Sequence, residues 1–170
     1  APTPCTFHRN GLTMPDGTTL SIAGEHQAIN LACALGIVEA LQKQGFAISE
    51  DAVRHGIETA RWDGRCQWLD DRFLIDGAHN AAGAKVLCDY LSRFVLPEKI
   101  TLLYAAMRDK DISACVRQLA PLCARVVTTD IMPVRGESCE ALCERFRAQG
   151  VRDVTAVSDP KAALALCRYL

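Results

Sequence analysis

Several features that would indicate a particular class of protein are missing from this 170-residue sequence. Its formal net charge is only −1, which gives no electrostatic reason to expect a nucleic acid or an anionic membrane as partner. The longest apolar run, from Leu31 to Val38, is too short to span a bilayer. No GxGxxG loop is present, which disfavours a nicotinamide site. The sequence therefore predicts a soluble protein without nucleic-acid or membrane partners.

Paired cysteines are also missing, although the chain has nine cysteines. No two are spaced as CxxC, and only Cys139 and Cys143 lie close together. Zinc sites need ligands paired at short spacing, so the sequence predicts no metal site in this chain. Most of the cysteines lie among Ala, Leu and Val, where a free thiol behaves as a small apolar side chain. We favour reduced core cysteines over disulfides or a metal, which indicates a reducing, cytoplasmic compartment.

The first 60 residues combine turn signals with two helical patterns. Asn10-Gly11 and Pro15-Asp16-Gly17 predict short hairpin strands within residues 5–22. A helix is predicted from Glu25 to Gln44, ended by Gly45, and a second runs from an N-cap at Ser49 to about residue 60. The apolar arc of the first helix consists of Ala28, Leu31, Ala34, Leu35, Ile37, Val38 and Leu41.

The order of predicted elements changes after Gly64, where short strands begin to alternate with helices of 10–15 residues. Residues 65–69 and 72–75 flank an Asp-Asp turn. Helices are predicted over 80–94, 111–123, 138–149 and 159–170, and strands over 72–75, 100–106, 125–129 and 154–157. This order predicts an α/β fold: a Rossmann-like, mostly parallel sheet with helices on both faces. We therefore predict two domains, residues 1–64 and 65–170. The chain starts without methionine and stops inside a helical pattern, so we expect a part of a longer protein.

Polar side chains follow the predicted strands. Asp76 and His79 come directly after residues 72–75, taken as the first parallel strand, at the edge where doubly wound sheets bind ligands. The segment Met107-Arg-Asp-Lys-Asp111 and Arg135 occupy the loops after the next two strands. Asp76 and its neighbour Asn80 are equally consistent with simple helix capping. These loops indicate a polar site but do not identify a reaction.

Two further candidates lie earlier in the chain. Asn30 and Gln27 lie on the apolar arc of the first helix, and a buried amide without partners costs about 1–3 kcal/mol. A ligand or neighbouring backbone would satisfy Asn30. Arg65 follows Gly64 at the domain junction, where its planar guanidinium suits phosphate oxygens. A surface salt bridge is the alternative for Arg65.

Together these segments resemble the folylpolyglutamate synthase/dihydrofolate synthase family of the Mur ligase superfamily. The resemblance is carried, in order, by Gly24-Glu-His-Gln-Ala-Ile-Asn30, Trp62-Asp-Gly-Arg65, Asp76-Gly-Ala-His-Asn80 and Met107-Arg-Asp-Lys-Asp111. It implies that residues 1–64 are the tail of a central ATPase domain. It also implies that residues 65–170 are a ligase domain whose last strand lies beyond Leu170.

The resemblance implies a role for four residues. Asn30 would contact the adenine of ATP, Asp76 would hold the ribose, and Arg65 would reach the phosphates. Arg65 and His79 would be the catalytic residues, with His79 beside the reacting centre or the incoming glutamate. The substrates would be ATP with Mg²⁺, L-glutamate, and dihydropteroate or a folate, and we expect a monomeric enzyme.

The phosphate loop GxxxxGK[ST] of such enzymes is absent, as is the segment that supplies their magnesium ligands. We therefore predict that this chain alone does not catalyse ligation. Two alternatives stay open: another Mur-type amino-acid ligase, or a non-catalytic α/β nucleotide-binding module.

Overall fold

The computed structural model describes residues 5–170. These residues form two compact units: unit 1, which ends at Gly77, and unit 2 (Ala78–Leu170). Residues 1–4 lie outside the described residues. The domain boundary expected after Gly64 stays a prediction, because a division into compact units does not by itself define where a domain begins. Within residues 5–170, no helix combines the length and apolar character needed to cross a membrane.

Unit 1 consists of a three-stranded antiparallel meander, two helices and a hairpin. The meander has the order β1-β2-β3, with Leu12 paired to Phe7 on one side and Leu20 on the other. The strands predicted within residues 5–22 and both helices are confirmed. The elements are β1 (Thr6–His8), β2 (Gly11–Thr13), β3 (Thr19–Leu20), α1 (His26–Lys43), α2 (Glu50–Thr59), β4 (Gln67–Trp68) and β5 (Leu74–Ile75).

The core of unit 1 is small. Leu12, Leu20 and Ile57 form its buried centre, against which one side of α1 packs. Ile37 was expected on that side, but it is 62% exposed. Ile37 lies nine positions after Ala28, which at about 100° per residue puts it on the opposite face of the helix. The expected apolar arc was therefore too wide.

The hairpin of β4 and β5 confirms the turn predicted between residues 65–69 and 72–75, but it contradicts the predicted parallel strand. Residues 72–75 were expected to form the first strand of the parallel sheet. Instead β5 pairs antiparallel with β4, with Trp68 opposite Leu74 and Gln67 opposite Ile75. Ile75 is 45% exposed, so it is not a buried-strand residue. Three apolar residues in a row do not show whether both faces of a strand are covered.

Unit 2 contains the parallel sheet, in the order β6-β7-β8. Val126 and Val127 are both 0% exposed, and since successive side chains on a strand point to opposite faces, both faces of β7 are covered. Helix α5 packs against β7 and β8, and α6 against β6 and β7. The α/β fold is confirmed. The elements are α3 (Ala81–Phe94), β6 (Thr101–Tyr104), α4 (Ile112–Leu119), β7 (Arg125–Thr128), α5 (Cys139–Ala148), β8 (Asp153–Ala156) and α6 (Pro160–Tyr169).

Short polar side chains start most of the helices. Ser49 Oγ accepts a hydrogen bond from Ala52 N, and Asn80 Oδ1 accepts one from Gly83 N. Each satisfies a backbone donor that the first turn of a helix leaves without an internal partner. Equivalent N-caps begin α4, α5 and α6 at Asp111, Ser138 and Asp159.

The nine cysteines are all free thiols, in varied surroundings. Cys115, Cys139 and Cys143 are buried in unit 2, as expected for core residues. Cys33 is exposed on α1, so the prediction of a core role is wrong for it.

Candidate functional site

Arg65 and Asp76 lie side by side because the β4–β5 hairpin brings its two ends together. The backbone N–H of Gly77 donates to the carbonyl of Gly64 at 2.8 Å, and the N–H of Cys66 donates to Asp76 Oδ2 at 2.8 Å. A Cβ on Gly77 would lie 3.5 Å from a terminal nitrogen of Arg65. The hairpin base therefore holds one carboxylate next to one guanidinium.

Cys66 lies between these two charged residues: it follows Arg65 in the sequence, and its backbone N–H donates to Asp76. Its backbone conformation is unusual. Its φ is +42°, in the left-handed region that non-glycine residues seldom adopt. Burial raises the pKa of its thiol to about 12, and the carboxylate of Asp76 acts in the same direction. Cys66 is thus a neutral thiol, and its strained backbone aims its N–H at Asp76.

Arg65 also lines a cavity of about 230 Å³ within unit 1. Its guanidinium carbon lies 5.5 Å from the centre of the Trp62 ring, within the range of a cation–π interaction. Trp62 and Trp68 line the same cavity. The guanidinium therefore lies beside aromatic rings and open space, where a small ligand can reach it.

The first turn of α1 holds a chain of three hydrogen-bonded side chains. Asn30 Nδ2 donates to Gln27 Oε1 at 2.8 Å, and Gln27 Nε2 lies 2.8 Å from His26 Nε2. Gln27 is only 4% exposed. Gly24, with φ +106°, allows the imidazole to approach, since a Cβ there would lie 2.5 Å from His26 Cε1. The side chain of the buried glutamine is thereby fixed from both ends.

Electrostatic interactions connect these three hydrogen-bonded side chains to the hairpin base. Burial lowers the pKa of His26 below its ordinary value, the charge of Asp76 raises it, and that of Arg65 lowers it further. His26 therefore lies within electrostatic range of both groups and is neutral at neutral pH. His26, Gln27, Asn30, Arg65 and Asp76 form one polar cluster in unit 1, named the polar cluster below.

Three of the four predicted site residues, Asn30, Arg65 and Asp76, belong to the polar cluster. The expectation that Asn30 is buried on the apolar arc is wrong, because Asn30 is exposed and Gln27 is the buried amide. His79 lies in unit 2, exposed and directly before the N-cap of α3. The sequence reasoning assigned no role to His26, although a histidine and two amides within one helical turn were a visible signal.

The two predicted loops of unit 2 meet at the carboxyl edge of its sheet. Met107 pairs with Gly136 in an isolated antiparallel bridge, and Arg108 N donates to the carbonyl of Arg135 at 2.9 Å. Arg135 forms an exposed ion pair with Asp109 at 3.5 Å. Asp111 caps α4, since its Oδ1 accepts a hydrogen bond from Ala114 N at 2.9 Å. The prediction that the loops after β6 and β7 share one edge is confirmed.

Another cluster of side chains in unit 2 has the residue types of a metal site, but its hydrogen bonding and protonation do not suit a metal ion. Ligand atoms of Asp130, Cys139 and Glu140 lie within 4.8 Å of one another. However, Asp130 Oδ1 already accepts a hydrogen bond from Cys139 N at 2.7 Å. Burial raises the pKa of the Cys139 thiol to about 12, and metals bind the thiolate form. We assign no ion to this group.

Comparisons with known proteins identify the family to which this chain is similar. The family model described as Mur ligase, glutamate ligase domain, matches residues 64–170. The dihydrofolate synthase/folylpolyglutamate synthase of Mycobacterium tuberculosis is 32% identical over 148 residues, covering 82% of this chain and 30% of that protein. A probable bifunctional folylpolyglutamate synthase/dihydropteroate synthase of Halobacterium salinarum is 29% identical over 150 residues, covering 87% of this chain and 18% of that protein.

Solved structures give the same result over nearly the whole chain. The structure of Mycobacterium tuberculosis folylpolyglutamate synthase complexed with ADP matches with a TM-score of 0.86 at 26% identity. The match covers 99% of this chain and 40% of that one, so the chain spans well under half the length of its structural relatives. The chain belongs to the Mur ligase family, of the folylpolyglutamate synthase and dihydrofolate synthase type.

Proposed function

We propose that the protein containing this chain is an ATP-dependent ligase that adds L-glutamate to dihydropteroate, to folates, or to both. The observation that carries the proposal is the polar cluster, which joins an exposed amide, a carboxylate and a guanidinium in one unit. These are the groups that a nucleotide's base, ribose and phosphates require. The relatives named above, one of them complexed with ADP, support the same reading.

Each group of the cluster suits one part of ATP. The amide of Asn30 is exposed and can pair with the N6 and N7 atoms of adenine. The carboxylate of Asp76 can accept hydrogen bonds from ribose hydroxyls, in addition to its bond from Cys66 N. Arg65 offers a fixed fork of donors to phosphate oxygens. We therefore assign Asn30 to the base, Asp76 to the ribose and Arg65 to the phosphates.

The proposed reaction has two steps. A carboxylate oxygen of the pteroate or folate attacks the γ-phosphorus of ATP, ADP leaves, and an acyl phosphate forms. The amine of L-glutamate then attacks the acyl carbon, phosphate leaves, and the amine loses a proton as the amide forms. Arg65 offsets the charge of the transferring phosphoryl group. We assign His79 to the reacting centre or the incoming glutamate.

Magnesium has no full ligand set in the polar cluster. Mg²⁺ prefers octahedral coordination by oxygen. The cluster contains one carboxylate, Asp76, and one of its oxygens already accepts a hydrogen bond. We therefore expect the protein ligands of the metal in a part of the full-length protein outside these residues.

A substrate comparison with the full-length protein tests the proposal. ATP hydrolysis is measured as phosphate release with and without L-glutamate, using dihydropteroate, a folate, and UDP-linked precursors in parallel. We expect glutamate-dependent phosphate release with the pterin substrates only. Turnover with UDP-linked precursors would instead indicate another Mur-type ligase. Nucleotide binding without turnover would indicate a non-catalytic module.

The isolated chain provides a second test. Without a phosphate loop, the 170 residues are expected to bind ATP weakly, if at all, and to catalyse no ligation. The same phosphate-release assay on the purified chain checks this, with the full-length protein as the positive control. Measurable glutamate-dependent turnover by the chain alone would contradict it.

A further inference from the structure

We propose that the exposed side of α1 is a docking surface, which in the full-length protein is covered by the part that carries the phosphate loop. The surface, named the α1 face below, is one stripe of exposed apolar or small residues: Ile29, Ala32, Cys33, Gly36, Ile37 and Ala40. The inference rests on the proposed function, in which this chain is one portion of a longer ATP-dependent ligase.

The sequence of α1 is apolar on two opposite sides. Between Glu25 and Glu39 it contains no Asp, Glu, Lys or Arg. Leu31 and Leu35 pack against the core of unit 1, and at about 100° per residue the α1 face lies roughly opposite to them. A helix that is apolar on more than one side is typical of helices that are covered on more than one side. The core of unit 1 therefore accounts for only one of the two sides.

Helix α2 of the same unit shows what a solvent-facing helix looks like in this chain. It buries Ile57, and its outer side is charged. Four of its ten residues are both charged and exposed: Glu50, Asp51, Arg54 and Glu58. On the α1 face, Ile29 and Ile37 are instead 68% and 62% exposed, and contiguous exposed apolar residues mark interaction surfaces. The contrast indicates that α1 has a partner that α2 does not need.

Gly36, in the middle of the α1 face, favours a partner that packs closely. A glycine inside a helix destabilises that helix relative to alanine. Within residues 5–170 nothing requires a glycine here, since a Cβ would meet no atom within 4 Å. Close approach of another backbone is a use of glycine that would offset this cost. Its neighbours Ala32, Cys33 and Ala40 leave room for the same approach.

The length of the relatives indicates what covers the α1 face. This chain matches 40% of the solved relative named above, so most of such a protein lies outside these residues. The phosphate loop belongs to that other part, because no GxxxxGK[ST] segment occurs here. Asn30, which we assign to the base, directly follows Ile29 of the α1 face. Docking of this face would therefore hold the contacts to the base and to the phosphates of one nucleotide at a fixed separation.

Thiol labelling of the full-length protein tests the proposal without changing the α1 face. Cys33 is exposed in the 170-residue chain. We expect iodoacetamide to label it at least about 100-fold more slowly in the full-length protein, because a covered thiol reacts only after local opening. The matched control is the thiol introduced by His55→Cys, at an exposed position of α2, which should react at the same rate in both proteins.

Equal labelling of Cys33 in the two proteins would overturn the inference. Protection that is lost on dilution would also overturn it, because a second copy would then cover the α1 face. Labelling does not depend on catalysis, so it separates this inference from the proposed function. Glutamate-dependent phosphate release without protection of Cys33 would remove only the inference, and protection without phosphate release would remove only the function.

A charge inserted into the α1 face provides a second measurement. In the full-length protein, Ile37→Arg should raise the labelling rate of Cys33 about tenfold or more, since a buried charge without a partner opens the packing around it. In the 170-residue chain the same substitution should leave the rate unchanged, because Ile37 is exposed there. His55→Arg, on α2, is the control for an added charge. An unchanged rate in full-length Ile37→Arg would contradict the proposal.

Discussion

The two units bury very different amounts of apolar structure within the described residues. In unit 1 the buried apolar residues are Leu12, Leu20, Ala23, Ile57 and Cys66, and all the others belong to unit 2. Unit 2 surrounds Phe146 and the valines of β7 on all sides, with no exposure of these side chains. Unit 1 leaves Ile29 and Ile37 of α1 more than half exposed.

The two units contribute different things to the molecule: unit 2 contributes most of the buried core, and unit 1 contributes the polar cluster. Unit 2 has the layered core that makes an α/β fold cooperative. Unit 1 has a thin core, yet it holds the polar cluster, and its most deeply buried polar side chains include Gln27 of that cluster. Polar sites need exposed groups on a fixed frame, and here the frame is a hairpin base and the first turn of a helix. We therefore expect the chain's stability to depend mainly on unit 2.

The largest expected effect is on the core of unit 2. Phe146 is 0% exposed and its ring meets that of Tyr104 edge-on at 5.3 Å. Phe146→Ala is expected to lower the free energy of unfolding by about 3–5 kcal/mol, because it leaves a cavity. Urea denaturation followed by circular dichroism measures it. The control Ile37→Ala should stay within about 0.5 kcal/mol, and equal losses would remove the contrast between the units.

Thiol labelling sharpens the comparison without changing the core. Cys33 of α1 is exposed, whereas Cys139 is 0% exposed and burial raises the pKa of its thiol to about 12. Iodoacetamide followed by peptide mass spectrometry should label Cys33 at least about 100-fold faster, since thiolates react and buried thiols need local opening. A Cys33→Ser variant identifies the fast site. Equal labelling rates would mean that the Cys139 thiol is as accessible as a surface thiol, which would contradict a closed core in unit 2.

A buried hydroxyl group, which also lies 3.2 Å from Cys143 Sγ, provides a smaller test. Thr128 Oγ1 donates to the carbonyl of Cys139 at 2.7 Å, with no exposure of the side chain. Thr128→Val keeps the shape and is expected to cost about 1–2 kcal/mol in the free energy of unfolding. Thr155→Val, on the neighbouring strand, is the exposed control with little effect. A cost at Thr155 as large as at Thr128 would count against burial as the cause.

The smallest effect is the pH dependence contributed by His26. Its pKa in the folded chain lies below the ordinary value of 6.5, because burial and Arg65 outweigh the opposing charge of Asp76. The folded state then binds fewer protons than the unfolded state, so this stabilisation is complete above pH 6.5 and is lost as the pH falls through the lowered pKa. Unfolding measurements between about pH 5 and 8, on the native chain and His26→Phe, should diverge only on the acidic side. Parallel curves would show that His26 does not contribute to the pH dependence of the free energy of unfolding.

The sequence was sufficient to predict the elements whose signals are local. Ser49 caps its helix, and the helices and parallel strands after residue 80 lie close to their predicted positions. These features depend on capping side chains and on the period of apolar residues, which neighbours along the chain determine.

The errors concern pairing and register, which depend on distant residues. Nothing within residues 72–75 specifies β4 as their antiparallel partner, and that partner decides whether they join the parallel sheet. Periodicity gives Gln27 and Asn30 the same face of α1, but only the packed structure shows which of the two amides is buried. Arg65 and Asp76 were recognised through their motifs, while their closure across the hairpin base required the fold.

The most direct test of the account is the Michaelis constant for ATP after substitution of Asp76 in the full-length protein. Asp76→Ala removes the carboxylate, and Asp76→Asn keeps an acceptor for Cys66 N, so the hairpin base is retained. Asp71→Ala, on the exposed tip of the same hairpin, is the control. We predict a roughly 10- to 100-fold higher constant for ATP in both Asp76 variants, the cost of a charged hydrogen bond. A constant unchanged from that of Asp71→Ala would contradict the assignment of the polar cluster to the nucleotide.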